Sequence, residues 1–311
     1  MLLKTITITA FKRPHYFEQL LLALVQNPLD GWQIHIQLEP SDKSEQFHTI
    51  AARILAGKKY LISVNDSIRG VRQNPYTLLD DVFSAGAAVN IYLEEDIVVA
   101  PDVTRLADWY LEHASENSIC MNLILGGCFS AGFLSDENYP AMLAATKCFN
   151  SLGMILTQEQ WQKHIKPNWL RFPAFFTSLT GHQTDGWDVA IYDYVLSRPE
   201  LNVLSPMLAR ANHTGREDGI HCSEDFHDRA FANLPVYTGV PEISAYCICE
   251  DVAALPYASK AHLYLWQEMG QCLMTLKAQA KELQGALKII KRGKMVTGWL
   301  LVEKILRRIT G

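Results

Sequence analysis

VNIYLEEDIVVAPD, residues 89–102, decides the fold. Apolar and β-branched residues run up to three consecutive acids, Glu94, Glu95 and Asp96, and a second apolar patch then leads to Pro101. Strong strand formers that stop at charge predict a buried central strand whose carboxyl end emerges at an open rim. In open α/β sheets that rim is where ligands sit. Three adjacent carboxylates repel one another unless a cation or a solvated face relieves them. Hard oxygen donors suit Mg2+ or Mn2+, ions that share their coordination with a diphosphate. A solvated acidic turn at a strand end is the plainer reading of the same residues.

Upstream, strand and helix alternate. Residues 4–10 alternate Thr and Ile as a first strand, broken by Phe11-Lys12-Arg13-Pro14. Residues 16–26 carry Phe17, Leu20, Leu21 and Leu24 at helical spacing and stop at Asn27-Pro28. Residues 32–38 form a second strand finishing at Glu39, 45–56 a helix stopped by Gly57, 60–64 a third strand, and 76–85 the helix entering the acidic strand. Such alternation at crossover lengths predicts a mostly parallel, Rossmann-like sheet with helices on both faces. Neither a G-x-G-x-x-G nor a Walker loop follows the first strand, which disfavours dinucleotide and P-loop enzymes.

Downstream, 103–113 reads as a helix, 118–125 as a strand, 126–147 as a Gly-, Ser- and Asn-rich loop over the site, 151–156 as a strand and 158–164 as a helix. A loop over 167–184, a helix over 187–196 and a strand at 202–204 lead to the polar segment ARANHTGREDGIHC, residues 209–222. From residue 256 the chain turns helical. The expected organisation is one α/β domain over 1–255, with a nucleotide-binding half at 1–102 and an acceptor half at 103–255, followed by a helical segment at 256–311.

Composition bounds the function. With 49% hydrophobic and 20% charged residues, 311 residues make an ordinary globular protein with ample chain for a core. A net charge of −5 argues against a nucleic-acid binder. Seven cysteines without regular spacing point to a reducing compartment rather than a disulfide framework. MLLKTITITAFKRP is too short in its apolar part for a signal peptide, so a cytoplasmic protein is expected. His221, Cys222, His227, Cys247 and Cys249 fit no zinc-finger or ribbon spacing.

Four blocks in order resemble one known family. Glu94-Glu95-Asp96 through Ala100-Pro101-Asp102 resembles the E-D-D-x-x-x-A-P-D segment of the N-acetylglucosaminyltransferase I family, glycosyltransferase family 13. SLGMILT at 151–157, followed by Trp161, resembles that family's G-L-G-W-M-L-T. Trp187-Asp188 resembles its W-D-D-W, and Pro206, Arg210, His213, Gly215 and Gly219 resemble its P-x-x-x-R and glycine-bearing loop. The first block here reads Glu-Glu-Asp, and Trp187-Asp188 lacks the second Asp. The resemblance implies a GT-A fold and inverting transfer of a sugar, first N-acetylglucosamine, from a UDP-sugar to a glycan or lipid-linked hydroxyl. It implies Asp96 as the ligand to Mn2+ or Mg2+, Glu95 against the ribose and Glu94 near the sugar or a metal-bound water. It also implies Glu39 as the acid contacting uracil.

Chemistry supports further roles. An inverting transfer needs one carboxylate opposite the leaving group, and Asp188 beside the apolar Trp187 is the expected base, with Asp185 its nearest rival. A helix-start acid complementing the macrodipole is the bland alternative. Arg13, after the first strand, has the guanidinium fork that suits a diphosphate. Arg210 and His213 lie in a loop able to close over it, with imidazole a second metal ligand. Arg13, Glu39 and His213 are equally read as exposed turn or loop residues. A sugar nucleotidyltransferase would carry a Gly-rich loop where Phe11-Lys12-Arg13-Pro14 stands, and a sugar-binding protein without turnover is the non-enzymatic alternative.

The last 35 residues carry nine Lys and Arg against Glu282 and Glu303, a net of +7, so the remainder carries −12. Over 285–311 apolar residues and Trp299 interleave with Lys and Arg, which fits an interfacial helix on an anionic membrane surface or a docking helix with a basic face.

Overall fold

The computed structural model describes residues 2–124, 140–147, 149–169, 176–179, 183–217, 222–232 and 236–249, with Lys281 and Gln284. Most of the expected glycine-rich loop, the helical region after residue 256 and the basic segment at 285–311 lie outside the described residues.

The first half alternates as the sequence predicts: β1 (Leu3–Ala10), α1 (Pro14–Leu24), β2 (Trp32–Leu38), α2 (Ser44–Ile54), β3 (Tyr60–Val64), α3 (Gly70–Ser84) and β4 (Ala87–Glu94). Pro14 sits in the first turn of α1, where a missing N–H costs no hydrogen bond. Phe17, Leu20, Leu21 and Leu24 are buried along one face. After β4 come β5 (Ile97–Val99), α4 (Val103–His113), β6 (Ser118–Asn122), β7 (Met142–Thr146) and β8 (Met154–Thr157). A helical stretch then runs from α5 (Gln158–Gln160) through a π-turn (Trp161–Ile165) into α6 (Lys166–Trp169). Two short strands, β9 (Phe176–Thr177) and β10 (Gln183–Thr184), precede α7 (Trp187–Leu196), β11 (Asn202–Pro206), β12 (Ala211–His213), α8 (Glu224–Ala230) and β13 (Cys247–Ile248).

One nine-stranded sheet organises these elements, in the order β3-β2-β1-β4-β8-β6-β11-β7-β13. β1 to β4 are mutually parallel, β8 runs against both β4 and β6, and β11 is parallel to β6. Six strands therefore share one direction, while β8, β7 and β13 oppose it. This is the mixed, mostly parallel α/β sheet the sequence predicts. β4 is buried along almost its whole length, as a central strand covered on both faces must be. The polar residues of that core are paired: Thr5 donates to Asn90 Oδ1 at 2.8 Å, and Asn90 Nδ2 donates to Thr7 at 2.8 Å.

From β1 the chain proceeds to β2 and β3 on one side, then crosses back to β4 on the other. The carboxyl ends of β1 and β4 thus flank a topological switch point, the crevice where ligands bind in such sheets. Phe11-Lys12-Arg13 and Glu94-Glu95-Asp96 both emerge there.

Three local expectations are corrected. α3 begins at Gly70 rather than near residue 76, because Glu39 accepts the amides of Arg69 and Gly70 and anchors a turn ahead of Pro75. β7 occupies part of the segment expected to be loop, held by pairing with β11. The helix expected to end near residue 164 continues to Trp169, whose buried ring stacks on Trp187 at 3.7 Å.

Candidate active site

Arg13 lies at the centre of the rim. Its Nε donates to Glu95 at 2.8 Å and its Nη2 to Asp96 at 2.7 Å, so one guanidinium spans two acids. Lys12 takes a left-handed φ of +64°, which turns the chain sharply between β1 and α1. Glu95 also accepts the Phe11 amide at 3.1 Å.

Asp96 is almost fully buried. Its Oδ2 accepts from Arg13 and lies 3.2 Å from His213 Nε2, while its Oδ1 is buried without a hydrogen-bond partner. β12 brings His213 there: it pairs antiparallel with β5, opposing His213 to Ile97, the residue after Asp96. The next residue, Thr214, donates its amide (2.8 Å) and hydroxyl (3.0 Å) to the Asp96 carbonyl. Gly215 follows, and a Cβ on it would fall 2.2 Å from Asp96 Oδ2 and 2.9 Å from Arg13. Only a glycine lets the loop lie this close to the carboxylate. Glu217 donates its amide to the Tyr16 hydroxyl, and Arg216 pairs with Glu224 and Asp228 of α8.

Glu94 is half-buried and accepts from the Tyr92 hydroxyl at 3.1 Å, itself 3.2 Å from Thr9 Oγ1. Burial, then the charges of Asp96 and Glu95, push its carboxyl up to about 8, and Asp188 adds to the rise. Burial likewise takes Glu95 to about 7 against the pull of Arg13. Asp96 moves the other way: burial raises it, but His213 and Arg13 together hold it below the usual carboxylate range.

Asp188 reaches this cleft from the first turn of α7. Trp187 is buried, stacked on Trp169 and edge-on to Tyr92, which fixes the helix start beside β4. Asp188 Oδ1 folds back over Gly186, 2.6 Å from where any Cβ would stand. Asp185 is exposed. The charges of Asp96, Glu95 and Asp188 all act on Glu94, so Asp188 lies on the Glu94 side of the acid cluster.

Two expected donor contacts are committed elsewhere. Glu39 is 5% exposed and spends its carboxylate on the amides of Arg69 and Gly70 and on Asn65 Nδ2, so it pins α3 rather than facing a base. Arg210 is 1% exposed. Its Nε donates to both Asp102 oxygens and its other nitrogens to the carbonyls of Leu208 and Pro140, an arrangement that cross-links the core. Arg13, Glu94, Glu95, Asp96, His213 and Asp188, by contrast, are brought together. Tyr92 and Thr9 were missed, and Gly215 was marked only as one of the glycines of the resembling loop.

For a divalent cation, Asp96 and His213 offer a carboxylate and an imidazole on one side, with Asp96 Oδ1 free to bind. Among the described residues no three His, Cys, Asp or Glu side chains form a closed metal cage. Mg2+ and Mn2+ characteristically take few protein ligands and fill the rest of their shell with phosphate oxygens and water. The residues present therefore fit such an ion as a shared, donor-completed site.

No family model and no curated protein matches the chain. Solved structures of related shape include the mannosyltransferase PcManGT from Pyrobaculum calidifontis in complex with GDP-Man and Mn2+, at 12% identity over 96% of this chain and 79% of that one, TM-score 0.46. S. aureus TarS 1–349 in complex with UDP-GlcNAc is 14% identical over 73% of this chain and 64% of that one, TM-score 0.46. An active-site mutant of LgtC is 15% identical over 85% and 95%, TM-score 0.38. This chain spans less than two thirds of the TarS fragment.

Proposed function

We propose that the chain is a GT-A-type glycosyltransferase. It moves a sugar, N-acetylglucosamine in the first instance, from a UDP-sugar to a hydroxyl of a glycan or lipid-linked acceptor. The carrying observation is the convergence of Arg13, Glu94, Glu95, Asp96 and His213 on the β1/β4 switch point, with Asp188 facing them from α7. The four-block resemblance to glycosyltransferase family 13 supports the same reading and suggests inversion.

Asp96 and His213 would hold Mn2+ or Mg2+, which when bound neutralises the departing diphosphate. Arg13 supplies a second positive charge, and its fork suits phosphate oxygens as well as carboxylates. By the family resemblance Glu95 would contact the ribose, in exchange for part of its pairing with Arg13 and the Phe11 amide. Glu94, held at the cluster by the Tyr92 hydroxyl, is the acid nearest the sugar in this reading. Asp188 accepts the proton of the acceptor hydroxyl while its oxygen bonds to the anomeric carbon. The bond from that carbon to the diphosphate oxygen breaks in the same displacement, and UDP leaves with the electron pair. The Trp187 ring packed beside Asp188 limits water.

A thermal-shift panel of nucleotide sugars with and without Mn2+ tests this. A UDP-sugar should stabilise the protein in a Mn2+-dependent manner, and Asp96→Ala should abolish the metal-dependent part. A protein indifferent to every nucleotide sugar would overturn the assignment. Binding with no hydrolysis or transfer of any UDP-sugar would leave only a binding protein.

A further inference from the structure

Among the described residues, four of the exposed large apolar side chains cluster within eleven residues of the chain: Leu61 (56% exposed), Val64 (38%), Ile68 (63%) and Val71 (49%). They surround β3, which among the described residues is the last strand on its side of the sheet. Within β3 itself, Tyr-Leu-Ile-Ser-Val carries neither a charge nor a proline, two of the devices that blunt an edge.

Its hydrogen-bonding phase is fixed by β2. Lys59 accepts the Ile34 amide through its carbonyl, and the Asn65 amide donates to Leu38. Backbone groups alternate sides along a strand, so residues 59, 61, 63 and 65 face β2 while Tyr60, Ile62 and Val64 present their N–H and C=O groups outward. An antiparallel copy of the strand centred on Ile62 would oppose Ile62 to Ile62 and Tyr60 to Val64. Those are the outward-facing residues, so the ladder closes in phase with no shift. Carried one residue past the bonded ends at Lys59 and Asn65, the same register brings Lys58 of one copy to Asp66 of the other, and both are exposed. The edge is therefore self-complementary in backbone phase, apolar character and charge.

We propose that β3 is the docking surface for a second copy of this chain. The two β3 strands pair antiparallel about a two-fold axis at Ile62, joining two sheets into one, with the patch of Leu61, Ile68 and Val71 at the junction. Such isologous pairing is the commonest symmetry of soluble oligomers. The antiparallel arrangement directs the two acidic rims to opposite ends of the assembly, so each site keeps its own entrance.

Sedimentation velocity of the full chain at micromolar concentration should show a dimer. Lys58→Asp and Asp66→Lys should each weaken it about tenfold, because each loses two ion pairs and gains two like-charge contacts. The double variant should restore it, and an equimolar mixture of the two single variants should form heterodimers. These exposed substitutions leave the fold untouched and decide the matter alone. Ile62→Pro, which removes an outward N–H along with a half-buried side chain, should also give monomers, its fold checked by far-UV circular dichroism. A monomeric wild-type chain, or a dimer indifferent to charge reversal at 58 and 66, would overturn the proposal.

Discussion

In the proposed reaction, Glu94 and Asp188 would divide two jobs that carboxylates can do. Glu94 is raised to about 8 from an ordinary 4.5, chiefly by burial and then by Asp96 and Glu95. In metal-free protein between those values the folded chain holds a proton that the unfolded chain has released. Stability therefore falls as pH rises through that window, by a few kcal/mol in all. Glu94→Gln imitates the protonated form. In EDTA its melting temperature should match the wild type near pH 5 and exceed it by about 5 °C at pH 8.5; parallel melting curves would refute the protonated Glu94. Asp188→Asn should retain UDP and Mn2+ binding while transfer falls by at least ~100-fold, the usual worth of a general base. A variant with wild-type turnover would remove Asp188 from the mechanism. Both residues stand in the sequence beside strong local signals, an acidic triplet and a Trp-Asp pair. What the sequence could not carry was their mutual approach, which depends on Trp169 stacking under Trp187 from another helix.

At the level of elements, the parallel half was legible because its signals are local: alternation in β1 and β2, helical spacing in α1, and a Gly or Pro at each break. β2, β3, α4 and α7 fall where the pattern predicts. β7 and the early start of α3 were not legible, because each is made by a distant partner. Glu39 illustrates how the fold itself can take up a strand-end acid. Its position at the rim is shared with ligand-binding acids, yet three backbone and side-chain donors consume it. Glu39→Ala should cost about 1–2 kcal/mol in urea unfolding, since it removes the acceptor of the Arg69 and Gly70 amides at the α3 N-terminus and of the buried Asn65 side chain. UDP affinity should survive below the transition. A large loss of affinity without loss of stability would return Glu39 to the donor site. Arg210 is the same lesson with a cation: the family resemblance marks it, but Asp102 and two carbonyls hold its guanidinium inside the core.

Across the whole molecule, residue 102 does not divide two folding units. β4 is sandwiched between β1 and β8, with Val89 to Tyr92 paired to Thr157 to Met154, so the central strand of the first half is closed by a strand of the second. Each of the two apolar clusters also mixes both halves: one joins Leu93 and Phe17 to Met121 and Leu204, the other joins Leu79 and Tyr92 to Trp169 and Val203. A fragment of residues 1–102 would expose β4 along its inner edge and lose the aromatic packing over Tyr92, Phe83 and Leu79. Exposed apolar area of that kind costs roughly 25 cal/mol per Å2, and a domain's net stability of about 5–15 kcal/mol does not absorb several such residues. Residues 1–102 expressed alone should therefore give no cooperative urea transition. Residues 1–255 should unfold in one step, with tryptophan fluorescence and far-UV circular dichroism coinciding. A folded, cooperatively melting 1–102 fragment would show that the acidic rim is built by the first half alone; its absence would mean that the acid cluster and the Asp188 helix stand or fall as one sheet.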